Sequence, residues 1–204
     1  MRNLIAALAA LVLAACATPT TFEHTQKAAN AGRIDFKGRK VAAVVTGAGV
    51  NQTRRVDAEN ALARELSARG MQGVAAHTIL PMATTAPMTR ERAVALLQQA
   101  GVAGAVVLKL VDTEKKTVKT EWASGDFQGA LARENYYGPI GLEGDGYGRR
   151  ITTITIETTL FSLEPYALLW AGQSRSVDPA KIDAFIPQFA GSVADQLRQE
   201  GLVK

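Results

Sequence analysis

Cysteine and histidine are nearly absent from this chain of 204 residues. The only cysteine is Cys16, and the only histidines are His24 and His77. A single cysteine excludes an internal disulfide, and two histidines without a second thiol leave little from which to build a metal site or a Cys-His nucleophile. No G-x-S-x-G nucleophile elbow is present either. We therefore expect a protein without catalytic residues, metal or cofactor.

Long hydrophobic runs are also scarce. The run from Leu4 to Leu13 is about ten residues long, whereas a membrane-spanning helix needs roughly 20. It follows Arg2 and precedes the small residues Ala14 and Ala15, which is the layout of a secretory signal peptide. We predict that residues 1–15 are such a peptide and are removed.

The residues Leu13-Ala14-Ala15-Cys16 resemble the lipobox of bacterial lipoproteins. The resemblance implies that the Cys16 thiol receives diacylglycerol, that cleavage occurs before it and that the new amine is acylated with a fatty acid such as palmitate. Two or more acyl chains anchor a protein stably in a membrane. Ala17 stands where these lipoproteins use Asp to stay in the inner membrane, which implies the periplasmic face of the outer membrane. The alternative is an ordinary signal peptide that leaves Cys16 as a free thiol.

An excess of charge of one sign is lacking as well. Removing Arg2 from the 23 basic side chains leaves 22 against 19 acidic ones, a net charge of +3. Nucleic-acid binding needs clustered Lys and Arg. Basic and acidic side chains are nearly equal in number here, and the chain is predicted to be exported. Both observations argue against a nucleic-acid partner.

Residues 16–39 mix Thr, Ala, Asn, Gly and charged residues without a period, which predicts a lipidated N-terminus followed by a flexible tether. Such a coil would hold the domain about 25 Å from the bilayer. Alternatively, Phe22 and Phe36 pin this segment to the domain.

Residues 40–204 read as one domain in which strand and helix patterns alternate. Predicted strands cover 41–45, 74–80 and 105–119, and a predicted hairpin covers 151–161 and 168–174. Helices are predicted after Thr53 and Thr89, with stops at Gly70 and Gly101, and after an Asp178 N-cap with Pro179 next to it. In the last helix one apolar stripe is predicted from Ile182, Phe185, Ile186, Phe189, Val193 and Leu197, and Pro187 predicts a kink.

The predicted fold class is therefore α/β, with α+β as the alternative. We expect a mixed sheet of about five strands in two or three layers, with two βαβ crossovers, the hairpin and a packed C-terminal helix. Trp170 is expected in the core, and the adjacent Leu168 and Leu169 predict that their strand is covered on both faces.

This pattern resembles bacterial lipoprotein domains of a domain-of-unknown-function type. The segments that carry it are DFKGRKVAAVV, AENALARELSARG, AGVAGAVVLKLV, TIETTLFSL and ALLWAGQSRSVDPAKIDAFI, within about residues 35–200. More distantly, the layout is similar to the αβ domains of the TolB N-terminus and of the curli-secretion lipoproteins. These resemblances imply binding and assembly roles at the outer membrane, and they supply no catalytic motif.

One candidate site lies in the predicted turn between the first strand of this domain and its helix. Gly47 and Gly49 occupy the place of a dinucleotide-binding glycine loop, but the third glycine of that motif is missing. Together with Arg54 and Arg55, the turn could bind an anion at the helix start. A plain flexible turn is the alternative, and His77 is expected to be a half-buried structural residue.

The other candidate site is the segment 122–149, a predicted insertion with seven glycines. Its aromatic residues are Trp122, Phe127, Tyr136, Tyr137 and Tyr147. Aromatic side chains on a glycine-rich frame suit contact with a protein, a glycan or a membrane interface. The alternative is an excursion whose aromatics fold back on the sheet.

The function expected from the sequence is a lipid-anchored outer-membrane protein with a non-catalytic module that binds or assembles with an envelope protein or glycan. Two alternatives stay open: an envelope hydrolase with an unrecognised motif, and small-ligand binding at the 47–53 turn.

Overall fold

The computed structural model describes residues 20–81, 88–119, 148–177 and 182–203. In chain order the elements are β1 (Thr20–Lys27), β2 (Lys40–Thr46), α1 (Gln52–Ala68), β3 (Gln72–Ala75), α2 (Arg90–Gln99), β4 (Val102–Lys119), β5 (Gly148–Leu163), β6 (Tyr166–Val177) and α3 (Ile182–Gln199), with 3-10 turns at Ala31–Arg33 and Ala76–Thr78. The predicted α/β class is confirmed.

The strands form one mixed sheet in the order β1-β6-β5-β4-β2-β3. β2 is parallel to both β3 and β4, and β6 is antiparallel to both β5 and β1. Gly104 lies against the Phe161 carbonyl, and Lys109 pairs with Glu157. Residue numbers thus rise along β4 as they fall along β5, so these strands are antiparallel. The two crossovers and the hairpin are as predicted.

Helices cover both faces of the parallel part of the sheet because β2 is apolar on both sides. Val41, Ala43 and Val45 belong to a core cluster with side chains of α1 and α3. Ala42 belongs to a second cluster, with Leu97 of α2. The described residues of the main unit therefore form three layers, helix, sheet and helix.

The chain divides into two compact units, residues 1–113 with 153–204, and residues 114–152. The described residues of the second unit, 114–119 and 148–152, are the distal parts of β4 and β5.

Most of the predicted apolar stripe of α3 is buried, while Ile186 is partly buried. Phe185, Phe189, Val193 and Leu197 are each at most 5% exposed, and the two phenylalanine rings stack with centroids 5.5 Å apart. The predicted cap, Asp178 with Pro179, lies outside the described residues.

Arg69 ties the end of α1 to α3. Its guanidinium donates to Asp195 Oδ1 at 2.9 Å and to Glu65 Oε2 at 2.6 Å. Burial acts to lower the pKa of Arg69, but these hydrogen bonds and charges outweigh it and leave the pKa above its ordinary value. The side chain is therefore a permanent cation between the two helices.

The tether prediction is wrong for residues 20–36. β1 pairs along β6 at the edge of the sheet, the Phe22 ring meets Trp170 edge-on at 6.2 Å, and Phe36 is 1% exposed where it packs on Gly104. The alternative interpretation, in which the aromatics pin this segment to the domain, is the one observed. β1 escapes prediction because its backbone is paired by a strand some 150 residues away, which its own weak pattern does not reveal.

The prediction that β6 is covered on both faces is also wrong. Leu168 is 46% exposed, whereas Leu169 and Trp170 are buried. The register shifts here, since Leu160 pairs with Trp170 but Phe161 pairs with Leu168. Leu169 is thus the extra residue of a bulge, which lets two consecutive side chains reach the core.

Local boundaries differ slightly from expectation. The N-cap of α1 is Asn51 rather than Thr53, and β3 ends at Ala75 because the next residues form a 3-10 turn. Thr89 caps α2 as predicted. Gly70 and Gly101 follow the two helices with φ of 83° and 73°, as predicted for helix stops.

Candidate functional site

The turn after β2 lies at the carboxyl end of the parallel strands, where open αβ sheets commonly bind ligands. Gly47 has φ of 131°, and a Cβ at this position would lie 2.8 Å from the Leu110 carbonyl oxygen of β4, so only glycine fits. Asn51 Oδ1 accepts a hydrogen bond from Arg54 N at 2.9 Å. Packing and capping therefore account for Gly47 and Asn51 without a ligand.

Glu59 is the central polar residue next to this turn. It lies on α1 with a relative exposure of 0%. Its Oε1 accepts from Val45 N at 3.2 Å and from Arg55 Nε at 3.1 Å. Its Oε2 accepts from His77 N at 2.7 Å and lies 2.9 Å from His77 Nδ1. One carboxylate thus joins β2, α1 and the 3-10 turn.

These contacts indicate a structural role for Glu59. An ionised carboxylate offers about four acceptor positions, and four donors surround this one. Because the carboxylate only accepts, His77 Nδ1 carries the proton in the bond between them. The oxygens have no position left for a metal or a substrate, and His77 is the half-buried structural residue that the sequence indicates.

The residues of the predicted anion site lie in the turn after β2 and in the first turn of α1. The Arg55 guanidinium is engaged by Glu59, whereas Arg54, Gly47 and Gly49 are exposed. Anion binding at the turn stays a prediction. Cys16 and the aromatic residues Trp122, Phe127, Tyr136, Tyr137 and Tyr147 lie outside the described residues.

Sequence reasoning missed Glu59, although the sequence contains a signal for it. Glu59, Leu62 and Leu66 lie at spacings of three and four along α1 and share its buried face. A glutamate on the apolar face of a helix, four residues after an arginine, predicts a buried ion pair. Its other partners, Val45 N and His77, are brought to it only by the fold.

Two hollows flank α1. The one toward α3 encloses about 290 Å³ and is lined in part by Asp57, Ile186 and Pro187. The other, toward β3, encloses about 440 Å³ and is lined in part by Ser67 and Thr78. Asn60 and Arg64 line both. Each hollow is shallow and mixed in polarity, without the convergent polar groups of an active site.

The described ranges contain neither a metal-binding cluster nor a membrane-spanning helix. No group of three His, Cys, Asp or Glu side chains there is placed to hold a metal ion. No helix among those residues is both long enough and apolar enough to cross a membrane.

No protein-family model matches the chain, and no curated protein matches it. A solved structure with a similar fold is a PelC dodecamer from Paraburkholderia phytofirmans, with 10% sequence identity and a TM-score of 0.50 over 88% of this chain and 97% of that chain. A dodecamer of a single-substitution variant of PelC from the same organism is 11% identical, with a TM-score of 0.47 over 88% of this chain and 94% of that chain. At this identity the first likeness shows the fold alone, and the second carries no argument. Neither structure is named as a TolB or curli-secretion domain, so that resemblance stays a prediction.

Proposed function

We propose that this protein is an outer-membrane lipoprotein whose αβ domain binds or assembles with another envelope component on the periplasmic side, and that it catalyses no reaction. The proposal rests on Cys16, the only cysteine of the chain, which lies where a lipobox requires it. The first strand of the domain follows four residues later, at Thr20. A lipid on Cys16 would thus be attached almost directly to the sheet.

A role in binding rather than catalysis is supported by how the described polar groups are used. Glu59 is the only charged side chain among the buried residues described, and both of its oxygens are occupied. The outer face of β6, by contrast, presents exposed Arg175 and Val177 next to exposed Thr21 of β1. Exposed side chains on paired strands of this kind are suited to contact with a macromolecule.

Assembly of identical copies is the form of assembly to test first, because the PelC structure with a similar fold is a dodecamer. An envelope protein or glycan is the other class of partner, with the aromatic segment 122–149 as the proposed contact region.

Metabolic labelling with palmitate tests the anchor. We expect label on the wild-type protein and none on Cys16→Ser, because the thiol is the acceptor of the lipid. Thr21→Ser, a conservative change at an exposed position, is the matched control and should keep the label. An unlabelled wild-type protein contradicts the proposal.

Crosslinking in intact membranes, followed by mass measurement, tests assembly. Crosslinked species at multiples of the protomer mass indicate self-assembly, and species of other masses identify a different partner. A wild-type protein that stays monomeric and uncrosslinked at its native level refutes the binding role.

A further inference from the structure

β3 is the last strand at one side of the sheet, and half of its residues direct their backbone groups outward. Gln72 N donates to Arg39 O at 2.9 Å, so the backbone of Gln72 faces the chain of β2. Because successive residues of a strand direct their backbone groups to opposite sides, the amides and carbonyls of Gly73 and Ala75 face away from the sheet.

Two of these four outward groups have partners within the domain. Gly73 N donates to Ser67 Oγ at 3.1 Å, and Ala75 O accepts from Thr78 Oγ1 at 2.7 Å. Within the described residues, no group forms a hydrogen bond with Gly73 O or Ala75 N. In parallel pairing, one residue bonds to the two residues that flank its neighbour. A single residue of an added parallel strand can therefore donate to Gly73 O and accept from Ala75 N.

The hollow toward β3 lies directly beside these groups. α1 approaches the strand so closely that a Cβ at Gly73 would lie 2.0 Å from the Ala63 carbonyl oxygen. Next to this contact, the hollow of about 440 Å³ is lined by α1 on one side and by Gly73, Val74 and Ala75 on the other. β3 has four residues and spans about 13 Å, so an added segment of similar length would lie between its edge and the flank of α1.

Arg64 gives this hollow its charge. It is the one charged residue among the described lining residues, and the neutral Asn60 lies one turn before it on the same flank of α1. Neither side chain has a hydrogen bond or an ion pair within the described part of the chain. The neighbouring Glu65 pairs with Arg69 at 2.6 Å, and Asp57 lies seven positions earlier and lines the other hollow. A guanidinium and a carboxamide at this spacing can both donate to one carboxylate.

The hollow and the free groups of β3 together form what we call the edge groove, defined by Asn60, Arg64, Gly73, Val74 and Ala75. We infer that the edge groove binds an extended peptide segment that carries an acidic side chain, and that the segment adds to β3 as a parallel seventh strand. In such strand addition, main-chain hydrogen bonds give affinity and the side chains beside the strand give selectivity. The inference rests on the proposed function and deepens it, because it names the envelope component as a protein and states the chemistry that this protein presents.

Selection from a phage-displayed library of random peptides tests the inference, with full-length protein in detergent as the bait. We expect the wild-type protein to enrich peptides that share an acidic residue at a fixed position. A synthetic copy of the most enriched peptide is then titrated by fluorescence anisotropy. If no peptide is enriched, or if the enriched peptides share no acidic residue, the inference is overturned, and a glycan or a folded surface of a second copy is left as the partner. The palmitate label on Cys16 tests the anchor separately.

Ala75→Pro removes the free donor of the edge. Ala75 has φ of −71°, close to the value that proline requires, and its amide faces outward, so the fold should persist. We expect the peptide to bind about tenfold more weakly. Ala75→Ser keeps the amide and should bind as the wild-type protein does, and an unchanged thermal midpoint verifies the fold of each variant. Equal affinity in a folded Ala75→Pro protein overturns strand addition.

N-methylation of the peptide, one residue at a time, repeats this test without changing the protein. Methylation of the residue that donates to Gly73 O should weaken binding strongly, whereas methylation of either adjacent residue should not, because adjacent amides of a strand face away from β3. Equal effects at all positions are incompatible with an added strand.

Arg64→Glu tests the recognition of the carboxylate. We expect this variant to bind the acidic peptide about tenfold more weakly, because two negative charges then face each other. A peptide with lysine in place of the acidic residue should regain affinity for the variant. Arg92→Glu, the same charge change on α2 across the sheet, is the matched control. If Arg64→Glu and wild-type protein bind the acidic peptide equally, the peptide lies elsewhere and the inference is wrong, while the lipoprotein proposal stands.

Discussion

Removal of the Glu59 carboxylate should destabilise the domain more than any other single charge change in the described chain. In Glu59→Ala the amides of Val45 and His77 lose their acceptor in the interior, and each buried unpaired donor costs about 1–3 kcal/mol. The Arg55 side chain is 30% exposed, so its guanidinium can be solvated by water when Glu59 is removed. The loss of this ion pair therefore adds little to the destabilisation. We expect the free energy of unfolding to fall by about 2–6 kcal/mol, which is the cost of the two unpaired amides together.

Glu59→Gln should lower the free energy of unfolding by about half as much as Glu59→Ala. The amide keeps one oxygen, which can serve Val45 N and Arg55. Its nitrogen can face His77, whose ring can accept at Nδ1 in the other tautomer, so that only the His77 amide is left unpaired. The expected loss is about 1–3 kcal/mol.

Urea unfolding measures both losses from the midpoint at a common slope. Glu157→Gln is the matched control, because Glu157 is 44% exposed and its contact with Lys109 Nζ is 3.6 Å long; such a pair is worth about 0–1 kcal/mol. A Glu59→Ala protein within about 0.5 kcal/mol of this control would refute the structural role of the carboxylate and reopen the question of a ligand there.

Two further predictions concern the core and the insertion. Phe189→Ala should lower the free energy of unfolding by about 3–5 kcal/mol, because the ring is 4% exposed. Gln188→Ala, at an exposed neighbouring position, is the control. Equal thermal midpoints for the two variants would show that the ring adds nothing to the core. Replacing residues 126–148 with a short Gly-Ser turn should leave the midpoint nearly unchanged while partner binding disappears, since a glycine-rich backbone loses much entropy on ordering. Unfolding of the shortened protein would place the aromatics in the core, and full binding would direct attention to the Gly47–Thr53 turn.

Much of the fold follows from periodicity and capping. The alternation of strand and helix between Lys40 and Lys119 requires parallel crossovers, and the apolar stripe of α3 has to be buried wherever the helix packs. Thr89, Gly70 and Gly101 mark helix ends because the chemistry of capping acts within a few residues. The lipobox is a local signal of the same kind, so the sequence by itself predicts the lipid anchor at Cys16.

The remaining features depend on contacts between residues distant in sequence, and only the tertiary structure decided them. β1 is a strand because the edge of β6 offers it backbone partners, and the bulge at Leu169 exists because Leu160 and Phe161 fix the register on either side. Glu59 becomes a buried junction only when β2 and the 3-10 turn bring Val45 and His77 to it. The same pairing turns the predicted tether into the first strand of the sheet.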